Sequence, residues 1–582
     1  MTIGYTTNKN ITNSSISVRN PLTNPDVYIR NPVWLSLDTV NATDQKVVGL
    51  HRIDKSANFV SLLCTTNTGT YTVNWGDGVT ENIASNTQAY HEYDYNDSDI
   101  TNDTRGAVTF TDSGDLITRN NHGYQNGMAI SFAEITSTTG IILNKEYYVI
   151  NSTTNTFQIS NSVNGSAVAL TTDGSGYILP YKQVLVTITP TTGNLLTIDF
   201  FRKHNQTGLQ NYSTGWLDII IAMPNMSTNG LKIGGFSSIV HGNLDKITAL
   251  TPVVQNTNQY LFYNCSTLRK IDFVSLTVSG VATSEMFRNC YNLLEAPPMT
   301  TTGTTNWLST FNACYNLNSV PKYDLSAATT TSSMFNTCRS LREIPNLGIT
   351  STCTNSSSMF NNCYSLQIVP LMDFSGCTTV ANMFTTCTAL ITIPPFNFSS
   401  ATTASSLFSG CSSLKYVPSL NLNVCTTFDS MFNLCVSLIY VPKLWTSWAG
   451  SGNVSIATMF QNCSSLIEAP PLDNLTPITV ATSAFSNCAS LVRISAFSLG
   501  SVIVTANLNT IFQNCFSLQE NNVTGAIRTH SIANGKMSAT ALNNYYTNLG
   551  TGTTYTLTVS GNYGTTGDDP TIATAKGWTV SG

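Results

Sequence analysis

Between Tyr260 and Glu520, apolar residues return on a fixed schedule. The stretch SSMFNNCYSLQIVP, Ser357 to Pro370, shows the phrase in full. Its cysteine recurs at Cys265, Cys290, Cys314, Cys338, Cys363, Cys387, Cys411, Cys435, Cys463, Cys488 and Cys515, with spacings of 24 to 28 residues. Phe stands three residues before all eleven cysteines and Leu three residues after. Pro stands seven after in eight of them, from Pro297 to Pro470. The pattern predicts, in each unit, a short helical turn with residues such as Met359, Phe360 and Cys363 on one face. A short strand follows with Leu366 and Val369 inward, and Pro370 ends it because proline has no N–H to give a ladder. One unit cannot close a core, but stacked units bury a continuous one. Representative core positions are Phe335, Cys338, Leu341, Phe360, Cys363, Leu366, Phe384, Cys387, Leu390, Phe408, Cys411 and Leu414. At about 4.8 Å per parallel strand, eleven coils make a spine of roughly 50 Å.

The N-terminal half alternates differently. YTVNW, from Tyr71, meets Gly76-Asp77-Gly78, a step that favours a tight hairpin, and an aromatic strand follows at Tyr90 to Tyr95. A strand of the kind that closes such a domain comes only at Tyr181 to Pro190, YKQVLVTITP. Between them, residues 104–180 hold short alternating strands with Gly and Asn turns. These residues are predicted to be an insertion whose two ends lie together in space. The tail reads as a helix (Ala541 to Gly550), a strand and turn (YTLTVSGNYG), and a last helix and strand (TIATAKGWTVSG). Such an atypical final unit is expected to cover the last coil.

Composition narrows the function. Charged residues are 10% of the chain and the net charge is -5, against ~25% charged residues in ordinary soluble domains. No basic patch invites nucleic acid. No apolar run is long enough for a membrane span. MTIGYTTNKNITNSSISVRN lacks the pattern of a secretory signal, so folding in a cytoplasm is expected. Cys353, Cys377 and Cys425 form a second column, each ten residues before a main-column cysteine. Reduced thiols that pack the core are the preferred reading of both columns. Disulfides between neighbouring coils and a metal site are the competing ones.

The MFxxCxxLxxIP phrase resembles the BspA-type, or Treponema-type, leucine-rich repeat. That resemblance implies a solenoid with parallel strands on one face and short helical turns on the other, and a role in adhesion and surface recognition. WGDG with YKQVLVTITP resembles a PKD-type Ig-like sandwich. HGYQNGMAISF, YYVINSTTNTFQ and TTDGSG resemble a small β module of tailed-phage virion proteins. The opening block RNPVWLSLDTVNATDQKVVGLHRIDKSANFVSL resembles the N-terminal half of structural proteins from marine tailed phages, notably those of cyanobacteria.

The expected fold is therefore multidomain. An N-terminal attachment segment spans 1–60, and an all-β Ig/PKD-like sandwich spans 61–103 plus 181–200. The inserted β module spans 104–180, and a connector with the N-terminal cap spans 201–255. An α/β leucine-rich-repeat solenoid spans 256–525, and a C-terminal cap spans 526–582.

Candidate chemistry is sparse. Asp94, Asp97, Asp99 and Asp103 cluster in DYNDSDITND and offer calcium several oxygens, without the EF-hand spacing; a solvated loop is the preferred reading. Asp77 reads as a turn former. His51, His91, His122, His204, His241 and His530 lie scattered without a nucleophile partner. No enzyme and no cofactor are expected. The recognition surface is placed on the two residues after each repeat Leu: Arg269, Lys270, Arg342, Glu343, Lys415, Tyr416, Tyr440 and Arg493. The 28-residue repeat adds Lys443, Trp445 and Trp448, whose indoles could stack on sugar rings or bury in a partner; folding back to cover the loop's own core is the preferred reading. Tyr291, Tyr315 and Tyr364 form a further column, read as packing.

The expectation is a virion-surface protein, a tail fibre or fibre-like component that recognises the host surface. Alternatives are a capsid decoration or assembly protein and a bacterial surface adhesin. Expected partners are other virion proteins through the N-terminal β domains, a host glycan or protein, and further copies of the chain.

Overall fold

The structure is a computed structural model. It describes residues 28, 30–31, 34–53, 58–94, 101–102, 106–120, 122, 124, 126, 129–143, 145, 147–162, 165–178, 182–203, 212–235, 243–257, 260–280, 283–502, 508–552 and 554–582. The chain forms two compact units, Met1–Pro32 with Ala107–Gly176, and Val33–Gly106 with Tyr177–Gly582. Most of the attachment segment predicted at 1–60 lies outside the described residues.

In the larger unit, one sheet runs in the order Lys270–Phe273, Lys246–Ala249, Trp216–Ala222, Lys46–Ile53, Lys182–Pro190, Thr70–Asn74, Thr80–Ala84. A second sheet orders Leu231–Lys232, Leu195–Asp199, Phe59–Thr66 and Thr87–Glu92. Inward residues of both, among them Val47, Leu62, Tyr71, Trp75, Val186 and Ile198, share one apolar core. Gly49 is required where it stands, since a Cβ there would come within 2.4 Å of the Trp216 ring. The hairpin after YTVNW joins Thr70–Asn74 to Thr80–Ala84, while the Tyr90 strand pairs with Phe59–Thr66 in the other sheet.

Strand Lys46–Ile53 pairs antiparallel with both Lys182–Pro190 and Trp216–Ala222. From Trp216–Ala222 onward the pairing turns parallel, first to Lys246–Ala249 and then to Lys270–Phe273. Residues 201–255, expected as connector and N-terminal cap, take the form of sheet where they are described. Two of their strands carry the sheet without interruption into the first coil of the solenoid. The expected N-terminal segment likewise contributes Lys46–Ile53 to the centre of that sheet.

The smaller unit's residues 107–176 contribute to a seven-stranded sheet in the order Phe132–Thr136, Gly174–Ile178, Ala107–Thr111, Leu116–Thr118, Thr156–Ser160, Tyr147–Ile150, Ala129–Ile130. Its motif residues serve this fold. Phe157 is buried, the Asn126 side chain accepts from the Ser152 amide at 2.9 Å, and Asp173 accepts from the Asp112 amide at 2.8 Å. The chain leaves and re-enters the larger unit at adjoining points. Thr101–Asn102 pairs with Gln183 and Lys182, and the Ile178 amide donates to the Gly106 carbonyl at 3.3 Å.

The solenoid is mostly turns and short parallel ladders, with very little helix among the described residues. This corrects the expected α/β character and the helical turn in each coil. Ser358 and Asn362 both have left-handed φ, 56° and 60°, and the two equivalent positions recur through the coils. An α-helix cannot contain such residues at that spacing. The turn instead divides its amides by alternation. Met359, Asn361 and Cys363 donate three residues back within the coil, at 3.1–3.3 Å. Ser358, Phe360 and Asn362 donate to Ala381, Met383 and Thr385 of the next coil, at 2.8–2.9 Å. Each coil thereby satisfies half of this segment only through its neighbour.

The inward side chains complete the scheme. Phe262, Phe287, Phe311, Phe335, Phe360, Phe384, Phe408, Phe432, Phe460, Phe485 and Phe512 form one stack with centroids 5.0–6.0 Å apart. Beside it, Cys363 Sγ donates to the Phe335 carbonyl and Cys387 Sγ to the Phe360 carbonyl, both at 3.1 Å. The same bond recurs from Cys290 to Cys515. All fifteen cysteines are free and buried. Burial pushes the main-column thiols well up in pKa, Cys411 and Cys515 to about 12, so they stay protonated donors.

The C-terminal residues extend the parallel ladder through His530–Ser531, Tyr555–Thr558 and Trp578–Ser581, with helices Ala539–Asn548 and Thr571–Thr574 beside them. His530 is buried there; its Nδ1 bonds to the Arg528 carbonyl at 2.8 Å and its Nε2 to the Tyr545 hydroxyl at 2.6 Å. Burial lowers its pKa from 6.5 to about 4.

Two tests follow from this packing. Phe384→Ala, in the middle of the stack, should lower stability by ~3–5 kcal/mol through the cavity it leaves, read by thermal or urea unfolding. His530 stabilises the folded cap as a neutral ring. Its contribution should be complete above pH 6.5 and fall progressively towards pH 4, a loss on the order of 3 kcal/mol. Comparing wild type with His530→Gln by Trp fluorescence melting across that range measures it.

Candidate recognition surface

Inward positions of each coil are occupied by Phe, Cys and Leu, and the residues after each Leu face out along one of the strand ladders. The ladder brings them into register. Glu343 bridges to Ile368, and Tyr416, Tyr440, Glu468 and Arg493 follow one another in successive coils. Between Glu343 and Glu468 the outward face carries Ile368, Leu371, Ile391, Tyr416, Tyr440 and Ile467, each between 47% and 60% exposed. Lys415 is the single charge at these two positions over that stretch. Beyond it, charges pair along the ladder, with Arg493 2.7 Å from Glu520 and Lys270 3.4 Å from Glu295. A contiguous exposed apolar stripe bordered by charges is the usual mark of an interaction site.

The sequence-predicted residues divide on this surface. Lys415, Tyr416, Tyr440, Arg342, Glu343 and Arg493 lie exposed on it. Lys270 is partly exposed. Arg269 does not belong to it, because its side chain is buried in a two-pronged ion pair with Asp245, with one arm at 2.9 Å. Trp445 is buried in the core, 5.9 Å from the Phe428 ring. Trp448 packs against the same core and donates from Nε1 to the Cys425 carbonyl at 3.0 Å. The extra chain of the 28-residue repeat folds back over its own coil, which removes both indoles from the candidate binding set. Lys443 is half-buried and bonded to Asp473 at 2.8 Å.

The tyrosine column is a stack. Tyr291 and Tyr315 lie 4.8 Å apart and nearly parallel, and the Arg339 guanidinium sits 4.5 Å from Tyr315 and 5.8 Å from Tyr364. Arg339 takes the place that a tyrosine would hold in the next coil. Sequence reasoning missed Ile368, Leu371, Ile391 and Ile467. The signal was present for Ile368, Ile391 and Ile467, which stand at or next to the same repeat positions as Tyr416 and Tyr440, whereas Leu371 lies beyond them, after Pro370. It also missed Leu434, half-exposed with φ of 63° at a position where Asn, Thr or Gly stands in most coils.

Among the described residues, His91 finds a partner, Asp77 at 2.6 Å, but the ring is stacked on Trp75 and lies beside no nucleophile. Asp77 also caps its own turn by accepting from the Val79 amide at 3.1 Å. Of the calcium candidates, Asp94 is exposed, while Asp97, Asp99 and Asp103 lie outside the described residues, as do His204 and His241. No group of three or more metal-ligating side chains occurs among the described residues, and no helix there is long and apolar enough to cross a membrane.

Residues 256–374 and 378–497 match the family described as "Mycoplasma protein of unknown function, DUF285". The chain is a repeat protein. No curated protein matches it. A solved plant peptide hormone receptor, RGFR1 in complex with RGF2, is 16% identical, with a TM-score of 0.20 over 54% of this chain and 60% of that one. The match thus spans less than two thirds of the receptor chain. The coil geometry above rests on the chain's own hydrogen bonds and not on that likeness.

The division between buried and exposed aromatics is testable. Trp445→Ala should cost ~3–5 kcal/mol of stability, whereas Tyr440→Ala should change it by less than ~1 kcal/mol, since the first opens a cavity and the second trims a surface. Thermal unfolding of the two variants reads the difference.

Proposed function

We propose that this chain is a non-enzymatic virion protein of a tailed phage, displayed on the particle surface, whose repeat solenoid recognises the host surface. The observation that carries the reading is the exposed aliphatic and aromatic stripe from Ile368 to Ile467, which holds one charge, Lys415, along the parallel strand ladder. The phage-like module, the PKD-like phrases and the BspA-type repeats support the setting. In this reading the N-terminal β region attaches the chain to other virion proteins, and Tyr416, Tyr440 and Lys415 contact the host glycan or protein.

A second reading, a capsid decoration or assembly protein, is favoured by one observation. With Trp445 and Trp448 turned inward, the stripe is richer in isoleucine than in the flat rings that stack on sugars.

Labelled antibody on purified particles separates the two. Label at the tail tip, with adsorption blocked and blocking weakened by Tyr416→Ala with Tyr440→Ala in added soluble protein, supports recognition. Label over the head with normal adsorption supports decoration. Particles without label contradict both.

A further inference from the structure

The main-column thiols are spoken for, each from Cys290 to Cys515 donating to the phenylalanine carbonyl of the preceding coil. The second column differs. Cys353 and Cys377 occupy equivalent positions in adjacent coils, and a buried hydroxyl lies against both sulfurs. Ser356 Oγ is 3.4 Å from Cys353 Sγ and 3.2 Å from Cys377 Sγ. Thr331 Oγ1 joins the cluster at 2.9 Å from Ser356 Oγ and 3.8 Å from Cys353 Sγ. Cys377 Sγ also reaches the Cys353 carbonyl at 3.1 Å. Cys425, in the same column, has no such partner, because Ala401 stands between it and Cys377.

The backbone holds the pair in register. The Thr378 amide donates to the Thr354 carbonyl at 2.9 Å, and Asn355 bridges to Thr379. Adjacent coils in register stand about 4.8 Å apart, within the Cα separation that a disulfide spans. The interaction between the two sulfurs also divides them in reactivity. Donation from Cys377, Ser356 and Thr331 makes Cys353 the more acidic thiol, while its neighbour is pushed up. The more acidic thiol is the better nucleophile near neutral pH.

We propose that Cys353 and Cys377 are an oxidisable pair, which a peroxide converts to a disulfide stapling their two coils together. The Cys353 sulfur attacks one peroxide oxygen. An S–O bond forms as the O–O bond breaks, and the departing oxygen leaves as water with the thiol proton. The Cys377 sulfur then attacks the Cys353 sulfur, forming the S–S bond and expelling the hydroxyl, which takes the Cys377 proton as a second water. Two thiols are oxidised and one hydrogen peroxide is reduced to two waters. Ser356 is a positioning residue that holds both sulfurs within reach. The thiols lie inside the coil, so a small oxidant suits the site and a bulky disulfide reagent does not.

The test uses the full chain, folded, with hydrogen peroxide at a dose that fully oxidises a control dithiol peptide. Intact mass should fall by two hydrogens, and denatured thiol titration should lose two of the fifteen thiols. Non-reducing peptide mapping should join Cys353 to Cys377. Cys353→Ser and Cys377→Ser should each abolish the loss, and Ser356→Ala should slow it and alter its pH dependence without changing the linkage. Fifteen surviving thiols in the folded wild type, or a linkage mapped to any other pair, overturns the proposal whatever the variants do.

Discussion

The carbonyl of each repeat phenylalanine from Phe262 to Phe485 accepts two hydrogen bonds, one from the amide of its own coil's cysteine and one from the thiol of the next coil's. The rest of the solenoid depends on that shared acceptor. It needs a side chain that is small enough to pass beside the phenylalanine stack, apolar enough to be buried, and able to donate. Alanine lacks the proton, and serine brings a costlier hydroxyl into an apolar column. The same interaction makes a lone coil incomplete, because alternate amides of its turn have no partner until a neighbour arrives. Growth of the stack therefore needs a first surface, and Trp216–Ala222 provides it. That strand is antiparallel to the N-terminal sheet on one side and parallel to the coils on the other.

Once the inward positions are committed, the outward ones carry the differences between coils. Charged residues concentrate towards the two ends of the ladder and pair there, which leaves Lys415 as the single charge in the middle. The long repeat uses its extra residues to fill the interior around Phe428 and Cys425, and it exposes no tryptophan stripe. What remains outside is a surface of isoleucine, leucine and tyrosine on a backbone held by hydrogen bonds above and below. Such a face has little conformational freedom to lose on binding.

The columns of Phe, Cys and Leu were legible in the sequence because a fixed period needs no knowledge of the backbone between its marks. The backbone itself was not. Met359, Phe360 and Cys363 share a face at helical spacing, yet alternating left-handed residues bring the same side chains inward. Nothing in Ser358 announces a positive φ as a glycine would. The strands of the 201–255 stretch left no periodic trace, because they join the ladder without the repeat's residues. Arg269 looked exposed by its repeat position, yet it is buried in an ion pair with Asp245, which lies one coil earlier and before the first repeat cysteine. In the N-terminal half the Asp-Gly turn was readable, while the assignment of the Tyr90 strand to the other sheet depended on pairing that no local pattern carries. The exposed stripe was half read: tyrosines drew notice as anchors, and the isoleucines beside them did not.

The measurement closest to the central claim is amide hydrogen exchange on the folded chain, resolved to the residues of each turn. If coils satisfy one another, the amides of Ser358, Phe360 and Asn362 and their equivalents should be protected to a similar, high degree through the interior coils, continuous with Trp216–Ala222. Fast exchange at those amides beside protected Met359, Asn361 and Cys363 would mean coils that close on themselves, and would contradict a solenoid in which each coil completes its neighbour.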